Sequence, residues 1–181
     1  MRFPACLLAA CLTSACSPDY NWREIRPEGD GFAVTLPGKP AVMTRSVRLD
    51  AHEVSMTMHG ARVGGVAFTA AVAKLPADDA GTRERVLAAM QAGMLQNIGA
   101  DGGRRQNGEL ELKDPAGVVL ARVPVVRLEA SGTAQGAPVT MLAGFAAHGS
   151  RAWQWMVIGP QPDREHAATF LDSFRLVPSG S

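Results

Sequence analysis

Hydrophobic positions along the chain follow two periods, and the switches between them mark out the elements. Phe32, Val34 and Leu36 alternate with Ala33 and Thr35, the two-residue period of a half-buried strand, and Pro37-Gly38-Lys39-Pro40 closes it with turn chemistry. Segments 42–51 and 53–59 alternate in the same style, while 63–75 is longer and more apolar, as expected near a sheet centre. After Asp78-Asp79-Ala80-Gly81-Thr82 the period changes. Val86, Leu87, Met90, Met94, Leu95 and Ile98 recur at three- and four-residue intervals, which predicts an amphipathic helix. Asp78, Asp79 or Thr82 can cap its first amides, Gly99 suits its C-terminal end, and Gly93 inside it implies close packing of that face on the sheet. Strand periodicity returns over 104–113, 118–129, 139–147 and 152–158. The intervening stretches, Asp114-Pro115, the loose 131–138 and His148-Gly149-Ser150, are too short for parallel crossovers, so antiparallel neighbours are expected, with an edge or bulge at Pro124. Ala167, Phe170, Leu171 and Phe174 then place a second helix within 162–174. The order predicts one α+β domain, a single antiparallel sheet of about six to eight strands with two main helices packed on it.

The start of the chain has a different character. Arg2 supplies a positive charge, 3–15 is apolar, and the small residues Ser14 and Ala15 precede Cys16, the layout of an export signal. Thirteen helical residues reach only about 20 Å, short of the roughly 30 Å hydrocarbon core, so the segment reads as a removable leader. Thr13-Ser14-Ala15-Cys16 resembles the lipobox of bacterial lipoproteins, which usually carry Leu at the position of Thr13. The resemblance implies cleavage just before Cys16, a diacylglyceryl group on its sulfur, and a fatty acid such as palmitate on the freed amine. Ser17 in the next position implies sorting to the periplasmic face of the outer membrane. Thr13-x-Ala15 also serves ordinary signal peptidase, which would release a soluble exported chain with an unmodified Cys16. The expected organisation is a leader over 1–15, a lipidated cysteine and short tether over 16–30 with an edge strand around 22–25, and one domain over 31–178.

Composition narrows the partners. The 181 residues are 46% hydrophobic and 19% charged, with 18 basic against 17 acidic side chains, which excludes intrinsic disorder and gives no electrostatic footprint for nucleic acid. No run of about 18 apolar residues offers a spanning helix. Cys6, Cys11 and Cys16 all lie in the leader or at its edge, so the exported domain has no thiol to be miswired by oxidation. Their spacing is not of the C-x2-C metal type. The expected partners are the membrane, through the anchor at Cys16, and an envelope protein of unknown identity.

Chemistry-bearing motifs are absent. The histidines His52, His59, His148 and His166 form no H-E-x-x-H, and His52 and His59 are an odd number of positions apart, which puts them on opposite faces of one strand. Asp163 and His166 share a helical face as a weak metal pair or, more simply, as a solvated first turn. There is no G-x-S-x-G; Gly149-Ser150 sits in a hairpin turn, Gly64-Gly65 reads as a close-packed or bulged strand, and Gly102-Gly103 as a turn. No catalytic, cofactor or metal residues are assigned. Trp153 and Trp155 face one side of their strand with Val157. That face is either core under a helix or an aromatic platform for a partner or apolar ligand, with a cleft beside Trp153.

Two passages then stand out together: Asp30-Gly31-Phe32-Ala33-Val34-Thr35-Leu36-Pro37-Gly38-Lys39-Pro40, and Phe170-Leu171-Asp172-Ser173-Phe174-Arg175-Leu176. With Trp153-Gln154-Trp155-Met156-Val157-Ile158-Gly159-Pro160 between them, the combination resembles bacterial proteins of the PsbP/Mog1-like type. The resemblance implies that a glycine-phenylalanine strand opens an antiparallel sheet and a helix ending F-x-x-S-F-x-L closes it. It also implies accessory binding roles on a shared scaffold, and it assigns no functional residue. The expected function is that of a non-catalytic accessory or interaction module of the cell envelope. The alternatives are a periplasmic small-molecule-binding domain with a pocket between sheet and helix, or an enzyme using scattered acidic and histidine residues.

Overall fold

Residues 19–178 are described in the computed structural model, and the leader and Cys16 lie outside them. The strands are β1 (Arg23–Ile25), β2 (Phe32–Leu36), β3 (Ala41–Leu49), β4 (His52–Val63), β5 (Val66–Lys74), β6 (Arg104–Lys113), β7 (Val119–Ala134), β8 (Ala137–His148), β9 (Arg151–Gly159) and β10 (Arg175–Leu176). Two helices interrupt them, α1 (Ala80–Asn97) and α2 (Arg164–Ser173). The α+β class and the antiparallel pairing follow the sequence pattern. The sheet count does not. Seven strands form one sheet in the order β3-β4-β5-β9-β8-β7-β6, and β1-β2-β10 form a second, smaller one.

β2 leaves the large sheet because it is buried on both faces. Phe32, Ala33, Val34 and Leu36 are all inaccessible, which fits a strand sandwiched between layers better than one whose other face meets water. Its partners come from the two ends of the chain: Ile25 pairs with Val34 and Leu176 with Phe32. The folded body therefore starts ahead of residue 31. Tyr20, Trp22 and Ile25, expected in the tether, pack against the core.

The small sheet and α2 cover one face of the large sheet, and α1 covers the other. On the first side Phe170 and Phe174 meet Phe68, Val72, Trp153 and Trp155; on the second Val86, Met90, Met94 and Ile98 meet Ala71, Ala73, Met141 and Phe145. Each large side chain contributes roughly 1.5–3 kcal/mol by leaving water. Caps fix the helix starts. Asp79 accepts from the Thr82 amide at 2.8 Å, and Asp163 accepts from the His166 amide at 2.9 Å.

Several local expectations are corrected. The stretch 131–138 is no loose loop: β7 continues to Ala134, and Gln135 and Gly136, with φ of 52° and 81°, make a two-residue hairpin turn. Gly64 and Gly65, with φ of 53° and 84°, form the β4–β5 turn rather than a bulged strand. Gly93 has open space where a Cβ would stand, so it marks no close contact with the sheet. Pro124 does stand at an edge, since it pairs with Glu109 of β6 while the β7–β8 register starts only at Val125; the bulge of this pair lies instead at Leu112/Lys113. Among the described residues no helix is long and apolar enough to cross a membrane.

Candidate functional site

Strand register brings separate parts of the chain into rows under α2. Along one row Arg104 pairs with Glu129, Glu129 with Leu142, and Leu142 with Val157; along the next, Gln106 pairs with Arg127, Arg127 with Gly144, and Gly144 with Trp155. Side chains of such a row share one face. Between these rows and the side of α2 lies a cleft of about 150 Å³, whose lining includes Arg104, Gln106, Arg127, Glu129, Leu142, Gly144, Trp155, Arg164 and Leu171.

Charged groups surround it. Arg104 donates through Nη2 to Oε2 of Glu129, and Arg164 through Nη2 to Oε1, both at 2.6 Å. Arg127 donates through Nη1 to Oδ1 of Asp172 at 2.9 Å. The hydrogen bond from Arg164, then that from Arg104, holds the Glu129 carboxyl below its ordinary value of 4.5, and Glu129 in turn raises Arg164. The paired groups are three guanidiniums and two carboxylates, a surplus of one positive charge among them, with Asp163 and Glu165 at the start of α2 as further acidic neighbours. Each guanidinium has five N–H donors, so most remain free for an oxyanion.

The floor depends on a glycine. A Cβ at Gly144 would overlap Cε2 and Cζ2 of Trp155, so only glycine lets the indole lie across β8. Trp155 is 1% exposed; its Nε1 donates to the Leu171 carbonyl at 3.2 Å, and its ring stacks on Phe174 with centroids 4.0 Å apart. Trp153 is 4% exposed, and its Nε1 donates to the Asp30 carbonyl at 2.8 Å. The face of Trp153 and Trp155 is thus core, covered by Asp30, by the last turn of α2 and by Phe174, and not an open platform. The cleft opens at the edge of Trp155 and not beside Trp153.

The histidines stay apart. His59 Nε2 lies 2.9 Å from Asp30 Oδ2 in a nearly buried pair that ties β4 to the start of β2. His166 stacks on Tyr20 with ring centroids 3.7 Å apart, and its Nδ1 lies 3.2 Å from Asp163 Oδ1. His52 begins β4 and His148 ends β8. Among the described residues no three His, Cys, Asp or Glu side chains are grouped to hold a metal ion.

Sequence reasoning missed the arginine cleft, because its lining comes from β6, β7, β8, β9 and α2. The available signal was Arg127-x-Glu129, two opposite charges on one face of a strand. At about 150 Å³ the cleft is half the size of the smallest usual ligand pockets, roughly 300 Å³. It can hold an oxyanion group, not a drug-sized molecule. Apolar side chains are exposed elsewhere, Val118 and Leu120 (58% and 56%) at the β6–β7 turn and Val42 and Met43 on the edge strand β3.

No family model matches the chain, and no curated protein matches it. Among solved structures it is similar to a protein of unknown function from Pseudomonas aeruginosa, at 9% identity and a TM-score of 0.38, over 68% of this chain and 87% of that one. It is also similar to the apo form of the T6SS immunity protein TplEi of Pseudomonas aeruginosa, at 17% identity and a TM-score of 0.36, over 72% of this chain. In that case the match spans just under half of the other protein, 47% of its length. Neither likeness is close enough to carry an activity.

Proposed function

We propose that the chain is an exported lipoprotein, tied to the membrane through Cys16, whose body acts as a non-catalytic accessory or interaction module of the cell envelope. The observation that carries this reading is a filled interior beside an exposed apolar tip. The inner strands of the large sheet are packed on both faces, while Val118, Val119 and Leu120 are exposed at the β6–β7 turn. Three adjacent apolar residues at a hairpin end suit a partner surface better than solvent. The leader and Thr13-Ser14-Ala15-Cys16 support export and lipidation. A PsbP/Mog1-like scaffold is supported by the packing of its two signature passages: Phe32 of the glycine-phenylalanine strand stacks on Phe174, which caps the closing helix, with centroids 5.4 Å apart.

One observation favours the small-molecule alternative, namely that the arginine cleft does lie between sheet and helix. Its volume restricts any such ligand to a small anionic group. The anchor is tested by labelling cells with radioactive palmitate. The wild-type chain should take up label and Cys16→Ser should not; equal uptake by both would overturn the lipoprotein reading.

A further inference from the structure

We propose that the arginine cleft takes the phosphodiester of a phospholipid headgroup in the bilayer to which the chain is tied. The inference rests on the lipid anchor at Cys16 for its choice of ligand, and on the geometry of the cleft for the site itself.

Position is the first argument. Cys16 and Tyr20 are four residues apart, at most about 14 Å of extended chain. The Tyr20 ring lies 3.7 Å from that of His166, in the first turn of α2, two residues from Arg164. A bilayer holding the Cys16 lipid therefore stays within that reach of Tyr20 and of the start of α2, the end of the body where Arg164 and Arg104 meet Glu129. The apolar hairpin is at the other end: Val119 and Glu129 are ten residues apart along β7, about 34 Å at strand rise. One end thus faces lipid and the other is free for a partner.

Chemistry is the second. Planar guanidinium forks match the oxygens of a phosphate, and three of them converge here with donors to spare. Leu142 and Leu171 supply apolar wall beside them, suited to the glycerol carbons that flank a phosphodiester. Glu129 occupies the same donors and acts as an internal competitor. Asp163 at the N-cap and Glu165 in the first turn of α2 weaken the attraction further, so a free headgroup binds weakly. Weak binding suffices for a tethered protein, because a short tether holds the bilayer at an effective concentration of millimolar order.

The test uses residues 17–181, a chain not already held by lipid that keeps every described element, after its melting transition is matched to that of the full lipidated protein. Glycerophosphoglycerol, inorganic phosphate and vesicles of phosphatidylglycerol in phosphatidylcholine are titrated in while the indole N–H signals are followed by NMR. With glycerophosphoglycerol and with vesicles the Trp155 signal should shift saturably and the Trp153 signal should stay. Vesicle binding should weaken about fivefold in Arg164→Gln and in Arg104→Gln, and tighten about fivefold in Glu129→Gln, the effect of one charge near the bilayer. Arg45→Gln, which removes the same charge from the far edge strand β3, should leave it unchanged. Equal weakening by Arg45→Gln, no tightening by Glu129→Gln, or a still Trp155 would each overturn the site. A Trp155 shift with inorganic phosphate but none with vesicles would overturn the lipid assignment in favour of a free anion. Loss of palmitate labelling with these results intact would remove the tether and leave the site standing.

Discussion

Two glycines that look alike in the sequence have opposite roles in the structure. Gly144 is the floor under Trp155, and any β-carbon there meets the indole ring. Gly144→Ala should therefore destabilise the domain by about 1–3 kcal/mol, the usual effect of overpacking, in denaturant melts. A change within about 0.5 kcal/mol, as at ordinary surface positions, would contradict the contact. Gly93 stands mid-helix with open space around its missing side chain. Gly93→Ala should raise stability by about 0.5–1 kcal/mol through helix propensity and a more restricted unfolded chain, measured in the same way. Composition alone suggested a packing role for Gly93 and was silent on Gly144. The difference lies in which neighbour stands opposite, and that is set by strand register rather than by local pattern.

At the level of elements, signals confined to a few residues were legible and signals split along the chain were not. Both helices start where an aspartate precedes the helical period, at Asp79 and Asp163. β7 runs past the strand period that ends at Glu129 although Ser131, Gly132, Thr133 and Ala134 carry loop composition; the pairing of Gly132 with Val139 and Ala134 with Ala137 overrides it. The small sheet was invisible because β1, β2 and β10 find each other across almost the whole chain. The clamp of α2 onto β7 has a pH signature. Arg164 and Arg104 depress the Glu129 carboxyl, so its stabilising contribution is fully present above the ordinary value of 4.5 and is lost as pH falls through the lower folded value. The stability difference between wild type and Glu129→Gln should therefore be largest near neutrality and shrink below about pH 4.5. Melting curves at stepped pH would show this, and a difference that stays constant down to pH 2 would contradict the clamp.

On the scale of the whole molecule, the two ends are unlike. Tyr20 and the start of α2 form the end from which the chain leads back to Cys16, and the β6–β7 turn presents apolar side chains at the other. Leu120→Ser should leave the melting transition within about 0.5 kcal/mol, because the side chain is already exposed, while removing crosslinks to an envelope partner in cells. Unchanged crosslinking would separate that tip from the interaction role. The arginine cleft was illegible in the sequence for the same reason as the small sheet: its guanidiniums stand at positions 104, 127 and 164, and only the fold makes them neighbours. The central claim is a body tied by lipid at Cys16, and the intact mass of the protein purified from membranes tests it most directly. The account predicts a chain beginning at Cys16 with the added mass of a diacylglyceryl group and a fatty acid. A chain of unmodified mass, or one still carrying 1–15, would contradict it.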